Sequence, residues 1–142
     1  KNILLMLEYI ILFKMKKVIS TNKAPSAIGT YSQAVLANGF LFISGQIPLD
    51  PKNMELVAGI DNQIEMVFKN INEILKEANM DFSNIIKLNI LLDNLENFEK
   101  VNQIMSRLFE EPYPARAAYE VSKLPKNSSV EIETIAYQGS EK

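Results

Sequence analysis

Arg116 follows two prolines and is set among small residues, in Pro112-Tyr113-Pro114-Ala115-Arg116-Ala117-Ala118. The pattern is that of a strand heading for the core, and a charged group seldom goes inside without a partner. A guanidinium presents a rigid fork matched to a carboxylate, with charge-assisted bonds contributing roughly 1.5–3 kcal/mol each. The partner is either a carboxylate of the chain, with Glu120, Glu131 and Glu133 as candidates, or the carboxylate of a ligand. Spacing weighs the two evenly. Glu131 and Glu133 alternate with Val130 and Ile132. If the apolar set faces the helices, both carboxylates face the other way, and solvated strand residues are the plainer reading of that pattern. Asn102 lies within the apolar stripe of a helix. A buried amide must have hydrogen-bond partners, and it ties down a loop more often than it touches a ligand. Tyr31, in a loop that contains Gly29, either closes over a pocket or packs as an ordinary tyrosine. Ser44 ends a strand just before Gly45, where the missing side chain permits close backbone approach.

The chain has no His and no Cys. That removes the commonest general base and metal ligand, the thiolate nucleophile, the disulfide and any Cys-based metal site. Chemistry must rest on Arg, Glu, Asp, Tyr, Ser, Asn, backbone groups and water. The lack of Cys fits a reducing compartment. A length of 142 residues, 47% hydrophobic and 23% charged, is that of one soluble globular domain. The net charge of −2 argues against a dedicated nucleic-acid binder. The basic cluster at 14–17, interrupted by Met15, reads as a solvated strand start.

The elements that must position these residues follow from periodicity. Strands are expected at 16–20, at 34–44 as a hairpin turning on Asn38-Gly39, at 84–94, at 115–121 and at 130–138. A loop covers 21–33, and another, with room for a short strand, covers 45–59. Ile60, Ile64, Val67, Phe68, Ile71, Ile74, Leu75 and Ala78 recur at helical spacing and predict a helix over 60–78. Leu95, Phe98, Val101, Met105, Leu108 and Phe109 predict a second helix over 95–109, stopped by Pro112 and Pro114. In the strand at 84–94, Ile86, Leu88, Ile90 and Leu92 are expected to share one face. The order β-ββ-α-β-α-ββ implies a mixed sheet with both helices on one face, a two-layer α+β sandwich. Leu41, Ile43, Leu91 and Tyr119 are assigned to the other face. They are too apolar for water, so a symmetric homo-oligomer is expected.

Residues 2–13 are apolar except for Asn2 and Glu8. They fall short of the ~20 residues of a membrane helix and lack the format of a signal peptide. Apolar all round, they have no amphipathic face. They are an extension upstream of a start at Met15, part of a targeting leader, or a segment that packs on another chain; the first is favoured. The expected organisation is an extension at 1–14 and a single domain at 15–142.

The spaced pattern of Pro114-Ala115-Arg116, Tyr119, Ser122, Leu124 and Val130-Glu131-Ile132 resembles the RidA/YjgF family of enamine/imine deaminases. "APSAIGTYSQAV" at 24–35, "ISGQIP" at 43–48 and "SKLPKNSSVEIE" at 122–133 agree as well. The resemblance covers about residues 15–137. It implies a chorismate-mutase-like sandwich with a six-stranded sheet, assembled as a homotrimer with sites at the subunit interfaces. The implied activity is hydrolysis of 2-imino acids such as 2-iminobutanoate and 2-iminopropanoate to 2-oxo acids and ammonia. No cofactor and no metal are implied, nor a membrane or nucleic-acid partner, and the implied location is the cytoplasm, or an organelle if the first residues belong to a leader. By the same resemblance Arg116 holds the substrate carboxylate, Glu131 positions the attacking water, and Tyr31, Ser44 and Asn102 line the pocket. Ala118 stands where the family often has Cys, so a backbone group there can line the pocket and no thiol acts. The segment from Asn102 to Arg116 is slightly shorter than in typical members. Two other readings are a ribonuclease or translation inhibitor, and a non-catalytic trimer that binds a small 2-oxo acid or shields other proteins. The first is poorly served by a chain with no His, no basic stripe and no stacking platform.

Overall fold

The computed structural model describes residues 2–13 and 16–139. It begins with a helix, α1 (Asn2–Phe13), beyond the two expected from periodicity. Ile3, Leu4, Leu5 and Met6 on it are exposed. Lys14 and Met15, on which the expected domain boundary falls, lie outside the described residues. Among the described residues no helix is long and apolar enough to cross a membrane.

Strand β1 (Lys17–Ile19) pairs with β2 (Ala34–Ala37), which turns back into β3 (Phe40–Gln46). Asn38 and Gly39 take φ values of 50° and 79°, the positive pair that a two-residue hairpin turn requires. A small ribbon of β4 (Leu49–Asp50) and β5 (Glu55–Leu56) precedes α2 (Ile60–Glu77). Asp61 sits in the first turn of α2, where the helix dipole favours an acid. The helix ends where Asn79, at φ 57°, lets Met80 N–H reach back to the Leu75 carbonyl at 2.9 Å, closing off an orphan acceptor. Then come β6 (Ile85–Leu92), α3 (Phe98–Leu108), β7 (Ala115–Glu120) and β8 (Val130–Tyr137). The expected first turn of α3 is instead a separate 3-10 turn, Leu95–Asn97, capped by Asn94 through Glu96 N–H at 2.9 Å.

The sheet order is β1-β2-β3-β8-β6-β7, with β6 and β7 parallel and the other pairs antiparallel. It is the mixed six-stranded sheet expected. Helices α2 and α3 cover one face, and Leu41, Ile64, Val67, Phe68, Ile71, Leu88, Ile90, Val101 and Ile132 form the core between the layers.

Two face assignments need correction. Leu41 and Ile43 point into that core, at 0% and 4% exposure, and Phe40 and Phe42 take the open face. The run Phe40-Leu41-Phe42-Ile43 is apolar on both faces, so period two alone cannot set its parity. Ile86 is 43% exposed, because a bulge inserts it between the pairs Ile85↔Ala136 and Lys87↔Ile135. Ile85 takes its place in the core. The open face is still apolar. One row across all six strands reads Val18, Val35, Phe42, Ile135, Lys87, Ala115.

Candidate active site

Sheet register decides where Arg116 points. Its row runs Ala34, Ile43, Thr134, Leu88, Arg116, and the first four are buried under the helices. Arg116 therefore lies on the helix-covered face, at the edge strand where that cover ends, and it is exposed. It meets α3 there. Phe98, Asn102 and Met105 lie at i, i+4 and i+7 along one side of that helix, so their side chains line up toward β7. The Arg116 Nη1 donates to Asn102 Oδ1 at 2.7 Å and approaches Met105 Sδ at 3.5 Å. Its Cζ sits 4.8 Å from the centre of the Phe98 ring. Asn102 Nδ2 donates in turn to Glu99 Oε2 at 3.3 Å. No carboxylate among the described residues pairs with Arg116; Glu120 accepts instead from Leu95 N–H at 2.8 Å. A cleft of about 450 Å³ opens beside the guanidinium, lined by Asn102, Met105, Ser106, Tyr113 and Pro114.

Glu131 shares its row with Leu91 and Tyr119, on the open face. It borders a second cleft, of about 660 Å³, together with Tyr31, Ser44, Gly45, Met54, Lys126 and Glu133. The site is shaped by a bulge in β3, where Ile43↔Thr134 is followed by Gln46↔Ile132. The extra residue leaves Gly45 against Glu131, and a Cβ at Gly45 would overlap Glu131 Oε1 and lie 2.9 Å from its Cδ. Only glycine leaves room for the carboxylate to lie over this backbone. Burial pushes the Glu131 carboxyl above its ordinary range, and the neighbouring Glu133 charge adds to the effect.

The other residues around this cleft are held by the backbone. The Tyr31 hydroxyl accepts from Ile28 N–H at 3.2 Å, which holds the exposed ring over the loop. Ser44 Oγ donates to the Ser32 carbonyl at 2.6 Å, and Ser44 N–H donates to the Gln33 carbonyl at 3.0 Å. Gln33, 2% exposed, fixes the 21–33 loop by donating to the carbonyls of Thr21, Ala24 and Pro25. Gln63 ties the segment after β5 to the turn before β8. Its Nε2 donates to the Val57 carbonyl at 3.1 Å, and its Oε1 accepts from Ser129 N–H at 2.8 Å. Lys126 and Met54 both have positive φ, 55° and 61°, and Lys126 Nζ donates to the Met54 carbonyl at 3.4 Å across the mouth of the cleft.

The structure thus brings Arg116 to Asn102, and Glu131 to Tyr31 and Ser44, in two clefts on opposite faces of one sheet. Ala118 lies on the helix side in a row with Ile90 and Ile132, packs against the core and lines neither cleft. Sequence reasoning placed Phe98 and Met105 in an apolar stripe and did not connect them to Arg116. Their i, i+4, i+7 spacing with Asn102 was the available signal. Gln63, Lys126 and Met54 carried none. Among the described residues no group of three or more His, Cys, Asp or Glu is placed to hold a metal ion.

Fold and clefts define a two-layer α+β sandwich with a guanidinium cleft on one sheet face and a carboxylate cleft on the other. The family model described as endoribonuclease L-PSP matches residues 21–138, and the chain belongs to this family, that of RidA and YjgF. It is 48% identical over 126 residues to human 2-iminobutanoate/2-iminopropanoate deaminase, covering 88% of this chain and 92% of the human protein. The crystal structure of RidA from an Antarctic Psychrobacter bacterium superposes with a TM-score of 0.84 at 45% identity, over 86% of this chain and 99% of that one. E. coli TdcF, solved with bound serine, superposes with a TM-score of 0.83 at 35% identity, over 87% of this chain and 100% of that one.

Proposed function

We propose that the chain is an imine deaminase that acts as a homotrimer and hydrolyses small 2-imino acids, such as 2-iminobutanoate and 2-iminopropanoate, to 2-oxo acids and ammonia. One observation carries this reading. Arg116 and Glu131 open on opposite faces of the same sheet, so one chain cannot place both on a molecule of four carbons. Two chains can, where the β7 edge of one, which carries Arg116, meets the open face of the next, which carries Glu131, Tyr31 and Ser44. The name of the human relative supports the substrate class, and the serine bound to TdcF supports capture of a small amino-acid-like carboxylate.

In this reading the unpaired Arg116 grips the substrate carboxylate and fixes the imine carbon over Glu131. A carboxylate that burial makes more basic is a better proton acceptor. Glu131 orients a water and accepts its proton as the oxygen bonds to the imine carbon and the C=N pair moves to nitrogen. Glu131 returns that proton to the nitrogen to give the neutral carbinolamine, and the hydroxyl proton then passes through the same carboxylate to the amino group as the C–N bond breaks, so that ammonia leaves and the carbonyl forms. The imine is already electrophilic, so orientation and electrostatics supply most of the acceleration.

The test generates 2-iminobutanoate in situ and follows formation of the oxo acid. Arg116→Ala is expected to lower kcat/KM about 100-fold or more, since two charge-assisted bonds are lost. Arg116→Ala and Glu131→Gln chains, each inactive alone, are expected to regain activity when refolded together. Random mixing restores about a quarter of the sites in a cyclic trimer, because each intact site needs one chain of each kind. Full activity of Arg116→Ala would remove the assignment, and failure of mixed trimers to regain activity would remove the shared site.

A further inference from the structure

Among the described residues, Arg116 is held only by uncharged groups. An amide oxygen and a thioether sulfur both approach Nη1, at 2.7 and 3.5 Å, and Cζ lies over a phenyl ring, 4.8 Å from its centre. None of these cancels the positive charge. The carboxylate of Glu99 stays one step away, and its bond to Asn102 Nδ2 turns the amide so that Oδ1 meets the guanidinium. A guanidinium has five N–H donors in a fixed plane. The two on Nη1 face Asn102 and Met105, and those on Nε and Nη2 have no partner among the described residues. A planar fork takes a carboxylate side-on along an edge.

We propose that Phe98 is a positioning residue for Arg116: stacked beneath the guanidinium while Asn102 and Met105 occupy Nη1, it turns the Nε–Nη2 edge outward as the edge that binds the substrate carboxylate. This rests on the reading of Arg116 as the carboxylate holder. An aromatic face suits the task because it attracts the cation without competing for its N–H groups. A fork fixed in advance loses less freedom when the ligand arrives, and the gain appears as affinity. The i, i+4, i+7 spacing puts the whole socket on one helix, so its geometry does not depend on a loop.

Two arginines, Arg107 and Arg116, make the edge directly observable. Full-length protein carrying ¹⁵N-arginine gives two Nε–H signals, assigned with Arg107→Lys. Titration with 2-oxobutanoate, a product of the proposed reaction, is expected to move the Arg116 signal and leave Arg107, paired with Glu65 at 2.6 Å, in place. Phe98→Leu keeps an apolar side chain and removes the ring face. It is expected to raise the Kd for 2-oxobutanoate and the KM for the imine about 2- to 30-fold, with kcat changed much less. Phe98→Tyr is expected to restore both at an equal thermal midpoint. An Arg116 Nε–H signal that stays still while Arg116→Ala abolishes binding overturns the edge assignment and leaves carboxylate capture standing. Unchanged Kd in Phe98→Leu, or equal losses in the Leu and Tyr variants, overturns the role of Phe98. Full affinity in Arg116→Ala overturns this inference together with the reading beneath it. The titration needs only wild type and the surface variant Arg107→Lys, and Phe98→Met is the second aliphatic replacement.

Discussion

Glu131 keeps its proton to higher pH than an ordinary carboxyl because burial disfavours the charge and Glu133 repels it. The proton is bound more tightly in the folded chain than in the unfolded one. Stability contributed by this group is therefore present at low pH and is lost as pH rises from the ordinary value of 4.5 through the raised folded value. Glu131→Gln removes the titration and keeps the shape over Gly45. The variant is expected to be more stable than wild type at pH 7, to match it near pH 4, and to hydrolyse imines at least about 100-fold more slowly. Urea unfolding between pH 4 and 8 checks the first two, and parallel pH profiles for the two proteins would show that the carboxyl is not strained in the fold. A carboxyl kept at some expense of stability suits the proposed role of Glu131, and Gly45 gives up a side chain to admit it.

Among the elements, the β4–β5 ribbon and the turn before β8 form opposite walls of the Glu131 cleft, and Gln63 on α2 holds both with one buried amide. Gln63→Leu fills the space and orphans the Val57 carbonyl and the Ser129 N–H. A buried group left without a partner costs about 1–3 kcal/mol, so a loss of roughly 2 kcal/mol is expected in urea unfolding, with faster exchange of the Ser129 amide. An unchanged midpoint would mean that water replaces the amide on both walls. These links also mark where sequence reading stops. Long helical stripes and the Asn38-Gly39 turn were legible because each depends on local spacing. Strand parity was legible in β8, where Val130 and Ile132 alternate with Glu131 and Glu133, and failed in β3 and β6. In β3 both faces are apolar, and in β6 a single bulge exchanges Ile86 for Ile85. Arg116 and Glu131 were legible as residue types. Their faces were not, because a face is set by register across strands distant in sequence.

At the scale of the molecule, the open sheet face explains why a well-packed chain still exposes Val18, Phe42, Ile86, Tyr119 and Tyr137. Scattered apolar residues are ordinary on a surface, but here they cluster on one face of the sheet that the helices leave uncovered. In the proposed assembly a second copy of the chain covers this face and completes the candidate site, since Glu131 lies on the face and Arg116 on the edge strand beside it. Phe42 is the informative position. It is 48% exposed, so its replacement costs the single chain little, and it sits in the row between Val35 and Ile135. Phe42→Lys places a second charge in that row, with Ile135 between it and Lys87, and is expected to break the assembly. Light scattering should give wild type a mass three times that of the 16.1 kDa chain and the variant the mass of one chain. Far-ultraviolet circular dichroism should remain that of the folded α+β sandwich. Imine hydrolysis per chain should fall with the trimer fraction and return at high protein concentration, because association obeys mass action. A folded, monomeric Phe42→Lys chain that hydrolyses imines at the wild-type rate would show that one chain holds a complete site, and would separate the apolar face from catalysis.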